Sequence, residues 1–368
     1  MEGKKILGQL RPYEQGMQIE EVKKKYNLKK IVKLASNENP FGFSNKVKTG
    51  LQETEIDFSI YPDGYAAELR ESLAKHLSVK EDQLVFSAGL DEMILVISRC
   101  FLEAGKNTVM ATPTFPQYKH QALIEGAEPR EVPVTETGEH DLGQILSQID
   151  EHTAIVWLCS PNNPTGSAIS EGELTRFLEK CPDSVLVVLD EAYLEFAHKE
   201  ANPKAIQKLQ EYKNLLVMRT FSKAYGLAGL RIGYAIGNAE LITKLNVARG
   251  PFNTSSIAQK AATLALSDQT FITEVNEKNA AIRNQFSLFL KSIGWHCFNS
   301  ETNFLLVKTP IDDMEIFQKL LERGFIIRPG TKVGWPGTIR ITVGKAEDME
   351  SMKLAIKEIN DEVGKVNE

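Results

Sequence analysis

The sequence predicts an α/β protein with a large domain on a mostly parallel sheet flanked by helices, followed by a smaller α+β domain. Three observations carry this. Short aliphatic runs without alternation recur through the first two thirds of the chain, helical patterns fall between them, and the character changes after about residue 265.

The runs are QLVF at 83–86, TVMA at 108–111, AIVWL at 154–158, VLVVL at 185–189 and LLVM at 215–218. Lacking period-2 alternation, they read as strands covered on both faces, as in a parallel sheet between helical layers. DEMILVISRCFLE at 91–103 and SEGELTRFLEKC at 170–181 are helical patterns, and Ser170 with Glu173 is a capping-box signature for a helix start. This alternation spans roughly residues 40–260. Beyond it, FITEVNEKNAAIRNQFSLFLKSIG predicts a long helix leading into NFLLVK, FIIRP and TIRITVG. The expected organisation is an arm at 1–35, a large domain at 36–262 and a small domain at 263–368. RPYEQG and the lysine-rich stretch at 23–30 bury little alone, so the arm is expected to pack on the small domain or a partner subunit.

At 368 residues the chain is too long for one core of usual size. Its 42% hydrophobic and 25% charged residues describe a globular protein, and 43 basic against 49 acidic residues leave a net charge of −6. With no block of either sign, neither nucleic acid nor an anionic membrane is an expected partner. Small molecules are. No stretch approaches the roughly 18 apolar residues of a membrane span. Charges at Lys4, Lys5, Arg11 and Glu14 interrupt the N-terminus before any leader-like apolar run. Cys100, Cys159, Cys181 and Cys297 form no C-x-x-C pair, which suggests reduced thiols and a cytoplasmic location. No metal ligand set is assigned.

Ligands of open parallel sheets bind at the carboxyl ends of the strands. There CSPNNPTG follows AIVWL, DEAY follows VLVVL, and RTFSK follows LLVM. In the first, prolines and Gly166 fix a rigid loop that either presents the Asn163 amide or only links strand to helix. Asp190 follows aliphatic residues and needs a partner, which an ion pair, a helix cap or a protonated heteroaromatic nitrogen would supply. Tyr193 is within reach of the same ligand, and Glu191 is expected to point elsewhere. Lys223 is the candidate nucleophile, since a neutral amine forms a Schiff base with an aldehyde. Thr220, Ser222 and Arg231 suit a phosphate monoester, and Gly226, Gly229 and Gly233 allow close backbone approach. SAGLDE at 87–92 opens a helix whose N–H groups can cap a phosphate. In PTFPQY at 113–118, Tyr118 is either a ring for stacking on a flat cofactor or core.

An aldehyde-trapping lysine, an aspartate for a ring nitrogen, a phosphate cup and a stacking aromatic describe a pyridoxal-phosphate site. From LRPYEQG and KLASNENPFG through YPDG, SPNNPTG, DEAY and TFSKAYGLAGLRIGY to IIRPG and IRITVG, the chain resembles the fold-type I PLP-dependent aminotransferases. LRPY, ASNENP and IRITVG resemble the histidinol-phosphate branch. The resemblance implies transamination between L-histidinol phosphate and 2-oxoglutarate, with imidazole-acetol phosphate and glutamate as products. It implies that Lys223 carries PLP and shuttles a proton, and that Asp190 keeps the pyridine nitrogen protonated. Asn163 and Tyr193 would hold the ring's 3-oxygen; Thr220, Ser222, Arg231 and the backbone at Gly89 and Leu90 would hold the phosphate. Leu90 stands where the family commonly has Ser or Ala, so no hydroxyl is available there. Tyr118 would stack on the ring. Tyr61 would reach the cofactor phosphate of a second subunit in a homodimer with shared sites, and Tyr13, Asn37, Arg328 and Arg340 would line the substrate pocket. Similar enzymes act on aromatic amino acids or decarboxylate threonine phosphate, and these remain alternatives.

Overall fold

The aliphatic runs fold as strands of one sheet in the computed structural model, which describes residues 3–12 and 16–366. After a short β1 (Val32–Lys33), the sheet strands are β2 (Leu84–Ser87), β3 (Asn107–Thr112), β4 (Glu128–Pro133), β5 (Thr153–Cys159), β6 (Leu186–Asp190), β7 (Leu215–Thr220) and β8 (Gly233–Gly237). Their order is β2-β8-β7-β6-β5-β3-β4. β8 runs antiparallel to β7 and β2; the remaining neighbours are parallel. The mostly parallel α/β sheet is therefore as expected.

Two strands of this large sheet escaped the sequence reading. β4 is an exposed edge strand, EPREVP, whose two prolines resemble a loop. β8, GYAIG, is flanked by glycines and lies inside the lysine motif.

Each central strand buries both faces, and its residues divide by parity. Val156, Leu158, Val187, Leu189 and Val217 belong to one core. Ile155, Trp157, Val188, Leu216 and Met218 belong to the other. That two-sided burial explains the missing alternation. Helix Glu171–Leu178 begins at Ser170, whose hydroxyl accepts from the Glu173 N–H while the Glu173 carboxylate accepts from the Ser170 N–H at 2.8 Å. The predicted capping box is present.

The C-terminal part holds β9 (His296–Cys297), β10 (Phe304–Lys308), β11 (Phe325–Ile326), β12 (Arg328–Pro329) and β13 (Thr338–Thr342). Four of these form an antiparallel sheet in the order β12-β13-β10-β9. Helices Gln269–Ser292 and Ala346–Val366 cover it, burying Phe286, Leu290, Met352 and Ile356 against Leu305, Val307, Ile339 and Ile341. β1 pairs in parallel with β11, and Val22 of helix Ile19–Tyr26 is buried with Leu321 and Ile326. Among the described residues, no helix is long and apolar enough to cross a membrane. All four cysteines are free, and Cys159, Cys181 and Cys297 are buried.

Ser170→Ala removes one half of the capping box and is expected to cost about 1 kcal/mol. Differential scanning calorimetry should show a fall of about 2 °C in the thermal midpoint.

Candidate active site

Parity decides which side chains meet. Cys159 and Asp190 are partners across β5 and β6, and Asp190 and Met218 across β6 and β7. Asp190 thus continues the face of Leu186 and Val188, and Thr220 continues that of Met218. Glu191, one residue on, turns to the opposite side and accepts from Arg219 Nε at 2.8 Å. The cleft at these strand ends is lined by Leu90, Asp91, Phe115, Cys159, Asn163, Asp190, Ala192, Tyr193, Thr220, Ser222, Lys223 and Arg231. The three motifs therefore share one cleft, as the sequence suggested.

Lys223 is half-buried; its Nζ donates to the Ser36 carbonyl at 3.2 Å and lies 5.5 Å from the centre of the Tyr193 ring. Burial, and then the charge of Arg340, lower its pKa from 10.5 to about 8. A tight turn holds the lysine loop: the Gly226 N–H donates to the Lys223 carbonyl at 2.9 Å, and Asn39 Nδ2 donates to the Ala224 carbonyl at 2.8 Å. Gly226 has φ +73°, and a Cβ there would lie 1.9 Å from the Gly42 carbonyl oxygen. Only glycine fits.

Asp190 is 4% exposed. One carboxylate oxygen accepts from the Tyr118 hydroxyl at 2.6 Å and the other from the Ala192 N–H at 3.0 Å. Burial raises its pKa to about 6 against these two bonds, which favour the ionised form. A carboxylate has about four acceptor positions, so capacity remains toward the cleft.

Tyr118 requires a correction. It is fully buried, stacked on Trp157 at 4.8 Å with 9° between the rings, and lies behind Asp190 rather than on the cleft wall. The ring of that segment which does line the cleft is Phe115. Helix Gln117–Glu125 begins between the two, which turns Tyr118 inward and leaves Phe115 at its mouth. PTFPQY contains both rings, and the proline before the helix was the available signal.

The anion cup is assembled from two loops. Helix Leu90–Phe101 starts at Gly89 with no side-chain cap, so its first N–H groups have no local acceptor of that kind. Gly89 has φ +82°, and a Cβ there would stand 2.3 Å from Arg231 Nη2. Arg231 donates to Ser222 Oγ at 3.4 Å and to Asp91 Oδ2 at 3.2 Å. The Thr220 hydroxyl accepts from the Ser222 N–H at 3.0 Å. Two hydroxyls, a guanidinium and an uncapped helix N-terminus fit a phosphate monoester. Leu90 contributes backbone and an apolar side chain to the same wall.

The remaining predicted residues divide. Arg340 Nη1 donates to Asn163 Oδ1 and Nη2 to the Ala35 carbonyl, both at 2.6 Å. Arg328 faces Arg340 across β12 and β13, and both line an adjoining pocket with Phe115, Asn163 and Lys332. Asn37 is buried; its Nδ2 donates to the Tyr193 hydroxyl at 3.0 Å. Burial raises the Tyr193 phenol above its usual range, so it stays protonated. Tyr61 is 79% exposed and stacks on Phe252 at 4.9 Å, away from this chain's cleft. Tyr13 lies outside the described residues.

A depressed lysine amine facing a buried carboxylate, beside an anion cup at parallel strand ends, defines a pyridoxal-phosphate-dependent enzyme. The chain belongs to the aminotransferase class I and II family, whose model matches residues 29–357, and its cofactor is pyridoxal phosphate. Histidinol-phosphate aminotransferase 2 of Oceanobacillus iheyensis is 52% identical over 364 residues, covering 99% of this chain and 100% of that protein. Histidinol-phosphate aminotransferase of Bacillus subtilis strain 168 is 51% identical over 358 residues, covering 97% and 99%. The crystal structure of the Sinorhizobium meliloti histidinol-phosphate aminotransferase, in complex with pyridoxal-5'-phosphate, superimposes with a TM-score of 0.88 at 28% identity over 98% of each chain.

In the cofactor-free protein, acylation of Lys223 followed by mass spectrometry should rise with pH around a midpoint of about 8. Arg340→Gln removes a neighbouring positive charge, so the midpoint should move upward. A wild-type midpoint near the ordinary 10.5 would contradict the assigned environment.

Proposed function

We propose that this chain transaminates L-histidinol phosphate with 2-oxoglutarate, giving imidazole-acetol phosphate and glutamate in histidine biosynthesis. The observation that carries the reading is the Arg328–Arg340 pair beside Asn163, adjoining the lysine cleft. A guanidinium pairs bidentately with either a phosphate or a carboxylate, so one site can receive the phosphate of one substrate and a carboxylate of the other. The names of relatives about half identical to this chain support the same substrate.

Pyridoxal phosphate, when bound, supplies an aldehyde that accepts the amino group and a ring that withdraws electrons from the substrate Cα. The protein's own groups do the rest. Lys223 Nζ, increasingly neutral as pH approaches and passes about 8, would carry the proton from the substrate Cα to the cofactor's aldehyde carbon, and in the reverse direction when the acceptor is bound. Asp190 places negative charge where a protonated ring nitrogen is favoured. Thr220, Ser222, Arg231 and the N–H groups of Gly89 and Leu90 anchor the phosphate. Asn163 and Tyr193 orient the ring through its 3-oxygen, with Asn37 fixing the Tyr193 hydroxyl. Phe115 supplies an apolar ring to one wall of the cleft.

The exposed aromatic side chains of Phe58, Tyr61, Tyr65 and Phe252 support a homodimer in which Tyr61 reaches the second subunit's site. Free thiols support a cytoplasmic location. Decarboxylation of a phosphorylated amino acid is the second reading, since an anion-binding arginine pair beside a lysine serves that chemistry as well.

Protein loaded with pyridoxal phosphate should form glutamate from histidinol phosphate and 2-oxoglutarate, and more slowly from phenylalanine or tyrosine. Carbon dioxide release from threonine phosphate without glutamate formation would instead identify a decarboxylase. Arg328→Met should raise KM for both substrates about tenfold or more, the loss of a charged hydrogen-bond partner. Sedimentation velocity should give a dimer mass, and Tyr61→Ala should weaken cofactor retention at unchanged fold by circular dichroism. A monomer with full activity would refute the shared site.

A further inference from the structure

Tyr118 is a polar group behind the cleft that the reaction outlined above leaves without a role. It lies on helix Gln117–Glu125, fully buried, with its ring flat on Trp157 of β5. Trp157 fixes the height of the ring, and the hydroxyl ends 2.6 Å from Asp190 Oδ2. A buried tyrosine hydroxyl requires a partner, and here the partner is the carboxylate that faces the cofactor cleft. The opposite carboxylate oxygen is held by the Ala192 N–H at 3.0 Å. With both oxygens tied, Asp190 has one orientation, and neither tie fills the acceptor positions on the cleft side.

We propose that Tyr118 is a positioning residue, whose hydroxyl holds Asp190 in a single rotamer and keeps it ionised so that it can pair with the protonated ring nitrogen of the cofactor. This rests on the function proposed above.

The electrostatic surroundings make the bond necessary. Asp190 faces Tyr118 from the helix, Cys159 from β5, Tyr193 and Glu191 from its own segment, Asp91 from helix Leu90–Phe101, and Lys223 and Arg231 across the cleft. Burial is the largest influence and favours the neutral acid; Asp91 and Glu191 act in the same direction. The Tyr118 hydroxyl is first among the groups opposing them. Its donation stabilises the charged form, so its removal raises the Asp190 pKa above about 6. A neutral Asp190 would lose the pairing at pH values where the wild type still keeps it.

Tyr118→Phe preserves the ring and its stack on Trp157 and deletes only the hydroxyl. Two measurements test the proposal. In cofactor-free protein with 13C-labelled aspartate, the Asp190 carboxyl resonance should titrate at higher pH in Tyr118→Phe than in wild type. In equilibrium binding of pyridoxal phosphate, Tyr118→Phe should weaken affinity about tenfold to a hundredfold, the loss of one hydrogen bond to a charged group. It should have no further effect in an Asp190→Asn background, because its action runs through that carboxylate. An unmoved Asp190 titration overturns the proposal, and so does an affinity loss that adds fully to that of Asp190→Asn. Wild-type protein that takes up no pyridoxal phosphate would overturn the assigned function instead, while the titration of the cofactor-free protein would still decide the role of Tyr118.

Discussion

Side-chain parity at the ends of parallel strands is the constraint on which the cleft depends. Cys159, Asp190 and Met218 stand side by side across β5, β6 and β7. Alternate residues go to opposite faces, so a carboxylate at the end of β6 either enters the cleft or the opposite core. Asp190 enters the cleft, and Glu191 enters the core and meets Arg219. Moving β6 by one residue would exchange the two carboxylates. The hydrophobic sequence prevents this, because every inward residue of VLVVL is committed to one of two well-filled cores.

Once the strands are set, burial works on the two central titratable groups in opposite directions. Asp190 is pushed up toward 6 and Lys223 down toward 8, both toward neutrality. Desolvation alone would leave a site poor in charge. Hydrogen bonds restore what it removes at Asp190, through Tyr118 and the Ala192 N–H. Lys223 donates to the neutral Ser36 carbonyl and has a positive neighbour in Arg340, so its amine stays closer to the neutral form. The carboxylate is held in its charged state and the amine is held near its uncharged one.

The large sheet, the capping box at Ser170 and the meeting of Asn163, Asp190 and Lys223 were legible because each depends on local sequence. Hydrophobic runs define strands, and the residue after a run inherits the strand's direction. Phe115 and Tyr118 were not separable in that way. Their roles turn on where a helix begins, and that start falls between the two rings. The Asn37–Tyr193 bond joins positions 156 residues apart, and no periodicity or turn signal encodes it. β8 was hidden by its terminal glycines: Gly233 and Gly237 look like part of a flexible connection, yet they bound a sheet strand.

Arg340 connects the two ends of this electrostatic arrangement. Its charge is the second-largest influence on Lys223, after burial, and it adjoins the pocket where a substrate anion would lie. An anion paired with Arg340 would cancel much of that influence. The lysine would then become more basic with its pocket filled than with it empty. Proton affinity at Nζ would rise with occupancy, with no movement of the backbone: the empty protein would keep a better nucleophile and the filled one a better proton acceptor.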